Sequence, residues 1–188
     1  MRIIGGSNRG THLADVGRGD VSAHLRPTSD RVREAIFNLL INGRLDGGPN
    51  PVTNARVLDL FAGTGALGLE ALSRGAAHAT FVDDGKAAQG LIRRNLEITR
   101  QTAAQILRQD ATRLPPNPAA PYTLVFLDPP YGMTMGEAAL TGAIAGNWIA
   151  PNGLIVWEES ASITPPAGLL EVDHRRYGDT SVTILRTP

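Results

Sequence analysis

The 188-residue chain reads as an α/β protein with an open, mostly parallel sheet that ends in an antiparallel pair. Three observations predict this. Apolar runs such as Leu124-Val125-Phe126-Leu127 and Leu154-Ile155-Val156-Trp157 have the pattern of strands buried on both faces. Stretches with helical apolar spacing separate those runs. Near the C-terminus, Gly178-Asp179 joins two alternating segments, a type II′ hairpin signal.

Composition bounds the rest. A hydrophobic content of 42% over 188 residues suits one globular domain with a real core. The chain has no cysteine, hence no disulfide framework and no thiolate metal site. Met1-Arg2-Ile3-Ile4-Gly5-Gly6 lacks the apolar core of a signal peptide, and no apolar run approaches transmembrane length. The expectation is a soluble, cytoplasmic protein without a membrane partner. Eighteen basic residues balance eighteen acidic ones, which argues against nucleic acid. Residues 1–33, however, hold six arginines against three aspartates. Arginine's planar fork suits phosphates and stacked bases, although the near-absence of lysine fits genome composition better and the charge signal is weak.

Residues 1–27 are set apart as an N-terminal arm and 28–188 as the main domain. In the arm, Arg2-Ile3-Ile4 and Thr11-His12-Leu13 flank a glycine-rich turn and predict a small hairpin. It could position phosphates through Arg9 and Arg26, or it could be a ribbon covering the sheet edge. His12 and His24 lack metal-ligand spacing, and no metal is expected. A first helix is predicted over 28–42, with Thr28 or Ser29 as cap and Asp30 near its positive end. Val32, Ile36, Leu39 and Leu40 form its apolar stripe. Arg31 and Arg33 fall off that stripe, so they face solvent or substrate. Residues 43–54 read as a loop.

From Arg56 strands and helices alternate. Val57-Leu58-Asp59-Leu60 is a strand followed by Phe61-Ala62-Gly63-Thr64-Gly65, a glycine loop that opens a helix ending at Gly75. The next strand, Ala79 to Asp83, places a carboxylate 20 positions after Gly63. This is a nucleotide-binding fingerprint: glycines let backbone approach the ligand, and the acid takes ribose hydroxyls. Asp59, Asp83, Asp84 and Asp110 form an acidic rim, which a pyrophosphate would avoid. It suits a cationic, phosphate-free cofactor, and S-adenosylmethionine is one. A helix from Lys86 to about Arg100 carries Leu91, Ile92, Asn95, Leu96 and Thr99 on one side, and a strand over 104–108 follows. At its end Asp110 and the backbone N–H of Ala111 could read an adenine edge, or simply form a turn.

The stretch Leu124 to Gly132 organises the chain. Its strand must stop at Asp128-Pro129-Pro130-Tyr131, because neither proline can donate to a ladder. Ligands of open α/β sheets bind beyond the carboxyl ends of strands. Asp128 and the Pro129 carbonyl are acceptors only. They suit an exocyclic aromatic amine, whose lone pair localises on nitrogen as its hydrogens are drawn out of plane. Tyr131 would stack on the base. The plain alternative is a turn closing a strand. Beyond it, a helix over 135–148 turns Ala139, Leu140, Ala143 and Ile144 inward, and strands are predicted over 153–158, 169–177 and 180–186.

Taken together, these segments resemble the bacterial 16S ribosomal RNA guanine-N2 methyltransferases of the RsmD type. The similarity runs almost end to end. It includes Arg2-Ile3-Ile4-Gly5-Gly6, the stretch from Leu25 to Asn38, the run from Leu58 to Gly75, and Asp128-Pro129-Pro130-Tyr131. The stretches Arg26–Glu34 and Gly68–Arg74 are its most specific parts. The resemblance implies the Rossmann-like class I fold with seven strands, one of the last two antiparallel. It implies S-adenosylmethionine near Asp59, Phe61, Ala62, Gly63, Thr64, Gly65, Asp83, Asp84, Asp110 and Ala111, leaving S-adenosylhomocysteine as product. Amine recognition would fall to Asp128, Pro129, Pro130 and Tyr131. Arg9, Arg26, Thr28, Arg31 and Arg33 would hold RNA, in a monomer acting on 16S rRNA within a small-subunit assembly particle. Asp83 stands where such enzymes more usually carry Glu.

The expected reaction is direct in-line transfer to nitrogen. Three other readings stay open: adenine-N6 methylation of nucleic acid, an NAD-dependent oxidoreductase using the same glycine loop, and a non-catalytic RNA-binding assembly factor. Thermal shift with S-adenosylhomocysteine against NAD separates the second from the first.

Overall fold

A computed structural model describes residues 1–14, 28–43, 45 and 48–188. The expected Arg26 contact and the rest of the arm from 15 to 27 lie outside the described residues. The elements are α1 (Asp30–Asn42), β1 (Arg56–Leu60), α2 (Ala66–Ser73), β2 (His78–Val82), α3 (Lys86–Thr99), β3 (Ala104–Leu107), β4 (Tyr122–Leu127), α4 (Met135–Ala145), β5 (Ile149–Glu159), β6 (Leu170–Tyr177) and β7 (Thr180–Arg186), with a 3₁₀ turn over Ala111–Arg113. The seven strands form one sheet in the order β3-β2-β1-β4-β5-β7-β6. β1 to β5 run parallel, and β7 is antiparallel to both β5 and β6. The fold is the Rossmann-like α/β class expected from the sequence.

The continuous apolar runs follow from burial on both faces. Along β4, Leu124 and Phe126 join the core formed with α1, α2 and Ile92 of α3, while Val125 and Leu127 join the core under α4. The turn between β6 and β7 has Gly178 at φ +63°, while Asp179 stays out of the positive-φ region, as a type II′ turn requires.

Two helix faces differ from expectation. On α1 the buried side chains include Arg33 and Phe37 besides Val32, Ile36 and Leu40. Arg33 lies one and two turns before Phe37 and Leu40, hence on the core face, and is fully buried. It does not face solvent or substrate. On α4 the helix stops at Ala145, and Ile144 points outward with 43% exposure. Gly146 ends the helix there, and Trp148 packs against Tyr122 instead.

Residues 1–14 form the expected ribbon, with an antiparallel bridge between Arg2 and His12. It lies on the helix layer and not on the sheet edge. The buried Glu70 carboxylate of α2 accepts the Ile4 and Gly5 N–H groups at 2.8 Å each, and Asn8 Nδ2 donates to the Thr99 carbonyl of α3 at 2.9 Å. Ile3 and Leu13 complete the anchorage in the core. Among the described residues no helix is long and apolar enough to cross a membrane.

Candidate active site

Strand register builds the site. Leu60 pairs with Val82 and Leu127, and Val82 pairs with Leu107. The segments that follow these residues therefore leave one edge of the sheet together. Strand order reverses between β1 and β4, since the chain runs outward through β2 and β3 and returns on the other side of β1. A crevice at such a reversal is where open α/β sheets bind ligands. The glycine loop after β1 and Asp128 after β4 flank it.

The loop turns sharply, with Phe61 at φ +59°, Gly63 at +56° and Gly65 at +76°. Gly65 is the N-cap of α2, a left-handed position that suits glycine. Asp59 is buried and its Oδ2 accepts the Gly68 N–H at 2.9 Å. Burial, with the charge of Asp83 adding to it, pushes the Asp59 carboxyl up to about 8 against the opposing Gly68 N–H. Gly68 has no room for a side chain: a Cβ would lie 2.4 Å from the Phe81 ring and 3.0 Å from Asp59 Oδ2. Asp83 braces the loop, accepting from the Gly63 N–H at 2.9 Å and the Gly85 N–H at 2.8 Å. Burial raises its pKa, and those two N–H groups hold it back. Asp84 is exposed beside it. Asp110 caps the 3₁₀ turn, its Oδ1 accepting from the Thr112 hydroxyl at 2.6 Å and the Thr112 N–H at 2.9 Å, which lowers its pKa. Ala111 is buried behind it.

Across the crevice, Asp128 and Tyr131 are half-buried, Pro129 is buried and Pro130 exposed. Thr28 Oγ1 lies 3.0 Å from Asp128 Oδ2 and 3.2 Å from Glu158 Oε2. The Tyr131 hydroxyl donates to Glu158 Oε1 at 2.9 Å. Burial and the neighbouring Glu158 carboxyl push the Asp128 pKa well above the usual carboxylate range. Burial and Glu158 also raise the pKa of the Tyr131 phenol.

Thus the glycine loop, the acids at 59, 83, 84 and 110, and the 128–131 corner share one edge. The expected RNA contacts do not stay together. Arg9 and Arg31 are exposed, Arg33 is buried with its Nη2 on the Arg2 carbonyl and Asp30, and Thr28 turns inward to the acids. Thr28 precedes the Ser29 cap of α1 and enters the helix beside the ends of β4 and β5. Glu158 was missed from the sequence. It ends a buried strand beside β4, the same signal that singles out Asp59 and Asp128. Among the described residues no acid or histidine cluster could hold a metal ion.

A family model described as conserved hypothetical protein 95 matches residues 1–186. The chain belongs to that family. Its relatives include the ribosomal RNA small subunit methyltransferase D of Escherichia coli, 36% identical over 170 residues, which are 89% of this chain and 80% of the relative. The Bacillus subtilis protein YlbH is 39% identical over 194 residues, covering 99% of this chain and 98% of its own. A solved structure of the Escherichia coli protein yhhF superposes with a TM-score of 0.81 at 32% identity, covering 100% and 97% of the two chains. The resemblance read from the sequence is thereby borne out for the family and for the fold.

Proposed function

We propose that the protein is an S-adenosylmethionine-dependent ribosomal RNA methyltransferase that methylates the exocyclic N2 amine of a guanine in small-subunit rRNA. The observation that carries this reading is the Asp128-Pro129-Pro130-Tyr131 corner across the strand-order reversal from a glycine loop ringed by carboxylates. The family relatives named as rRNA methyltransferases support it.

The residues present fit the cofactor. Its sulfonium and ammonium groups suit the carboxyl rim of Asp59, Asp83 and Asp110, and the turn through Gly63 and Gly65 leaves the loop backbone open to its ribose. When bound it supplies an electrophilic methyl group. Asp128 and the Pro129 carbonyl hold the two amine hydrogens, so the nitrogen lone pair is free along the line of transfer. Tyr131 supports the base ring. The methylated nitrogen is then strongly acidic, and Asp128 or water takes its proton. Arg9 and Arg31 offer exposed guanidinium groups to the RNA backbone. The substrate is a small-subunit assembly particle, and the enzyme acts in the cytoplasm as a monomer.

Methyl transfer to small-subunit rRNA from a strain lacking the enzyme, followed by digestion to nucleosides, tests the reading. N2-methylguanosine is expected, and N6-methyladenosine in its place would overturn the guanine assignment. Asp128→Ala should abolish turnover with S-adenosylhomocysteine affinity close to wild type, and full activity in that variant would refute the role of Asp128.

A further inference from the structure

One polar side chain on the apolar side of α3 has no part in the chemistry above. Asn95 is fully buried, on the same helix face as Ile92 and Thr99, although asparagine is a weak helix former. Its amide reaches two segments far apart in the chain. Oδ1 accepts the Ala14 N–H at 2.7 Å and Nδ2 donates back to the Ala14 carbonyl at 3.2 Å, the exchange a neighbouring antiparallel strand would offer. Nδ2 also donates to the Thr64 carbonyl at 2.9 Å. Ala14 ends the second limb of the ribbon, and Thr64 stands inside the glycine loop. Gly63 and Gly65 flank it at φ +56° and +76°. Glycine restrains a backbone little, so bonds from outside set the path of the loop. Asp83 holds the Gly63 N–H from one side, and Asn95 holds the Thr64 carbonyl from the other. The first limb of the ribbon arrives at the same residue, since the Thr64 hydroxyl lies 3.8 Å from Met1 Sδ. Both limbs therefore end at the loop, and Arg9 stands at the turn between them.

We propose that Asn95 is a positioning residue that couples the glycine loop to the ribbon, so that S-adenosylmethionine and RNA favour each other's binding. The inference rests on the reading of the loop as the cofactor site and of Arg9 as an RNA contact. A cofactor seated against the loop confines the Thr64 peptide. Its carbonyl then stays in line with Asn95 Nδ2, and the same rigid amide holds Ala14 by both its N–H and its carbonyl. A ribbon ordered in this way loses less freedom on meeting RNA. By linkage, RNA on the ribbon raises cofactor affinity by the same factor. The coupling needs a group that donates and accepts from one plane, which an asparagine amide does.

Three substitutions separate the coupling from plain anchorage. Asn95→Asp keeps an acceptor for the Ala14 N–H but turns carboxylate oxygens toward two carbonyls, and Asn95→Leu neither donates nor accepts. Asn8→Ala is the control. The Asn8 side chain ties the ribbon to the Thr99 carbonyl and to Gln101 without touching the loop. Affinity for small-subunit rRNA from a strain lacking the enzyme is measured by filter binding with and without saturating S-adenosylhomocysteine, at one salt concentration. S-adenosylhomocysteine affinity is measured with and without that RNA. In the wild type each ligand should tighten the other by the same factor, about fivefold or more. Both Asn95 variants should reduce the factor below about twofold and weaken S-adenosylhomocysteine binding by about tenfold, since the Thr64 carbonyl loses its donor. Asn8→Ala should weaken RNA binding and keep the factor. A residue with only a structural role would shift the affinities and leave the factor alone. Hydrogen exchange at the Ala14 amide should slow when S-adenosylhomocysteine binds the wild type without RNA, and Asn95→Leu should remove that response. No mutual effect in the wild type, the full factor in either Asn95 variant, or an Asn8→Ala protein as uncoupled as Asn95→Leu would overturn the proposal. Should Asn95→Leu not fold, Asn95→Asp against Asn8→Ala still decides it. If the wild type binds S-adenosylhomocysteine but no RNA, the reading of function fails, and exchange at Ala14 still judges the link through Asn95.

Discussion

Asp59 stores a pH dependence in a single buried carboxyl. Its pKa rises from an ordinary 3.8 to about 8 because burial penalises the charged form. Between those values the folded protein keeps a proton that the unfolded chain has released. Stability therefore falls as pH rises through that window, by at most about 1.4 kcal/mol per pH unit for this group. Urea unfolding at mildly acidic and mildly alkaline pH should show the decline, and Asp59→Asn should flatten it. Arg33 makes a second case. Its Nη2 meets the Arg2 carbonyl at 2.7 Å and Asp30 at 2.6 Å, but Nε and Nη1 are buried without a partner among the described residues. Burial lowers its pKa against the pull of Asp30 and Glu70. Truncation to Ala should cost about 2–4 kcal/mol through the cavity it leaves. Arg33→Met keeps the volume and sheds a poorly compensated charge, so it should cost under about 1 kcal/mol. RNA affinity should be untouched by Arg33→Met, whereas Arg31→Ala should weaken binding and reduce the salt slope by about 1. A filter-binding series in salt separates the two.

At the scale of elements, α2 shows a local preference overridden by packing. Exchanging a helical glycine for alanine ordinarily gains about 1 kcal/mol. At Gly68 the added Cβ would drive into the Phe81 ring and crowd the Asp59 oxygen that accepts its N–H. Gly68→Ala should therefore lower Tm and weaken S-adenosylhomocysteine binding together, readable in one thermal-shift titration. The helix boundaries were legible at α1, where the Ser29 cap and the apolar spacing agree, and at α3 from the apolar spacing alone. The faces were less so. Arg33 belongs to a buried stripe with Phe37 and Leu40, and its charge alone argued otherwise. Thr28, expected as a helix cap or an RNA contact, turns inward to Asp128 and Glu158, and one sequence position does not reveal which acids lie across from it.

For the whole molecule, Glu70 ties the beginning of the chain to the helix layer. Its fully buried carboxylate accepts from Ile4 and Gly5 and from Arg74 Nε at 2.7 Å. Glu70→Ala would leave two backbone N–H groups and a guanidinium without their acceptor, a loss of about 3–5 kcal/mol. Urea unfolding measures it, and limited proteolysis should then cut within residues 1–14 first.

The sequence by itself determined the strand–helix alternation, the glycine loop, the acids that end β1, β2 and β4, and the hairpin at Gly178. These rest on local physics: periodicity, proline's missing donor and glycine's access to positive φ. Only the tertiary structure decided that Thr28 bridges two carboxyl groups 100 and 130 positions away, that Glu158 joins the corner, and that Arg33 is interior. Those facts depend on which strands lie side by side and on what a helix face meets, and distance along the chain carries no record of either.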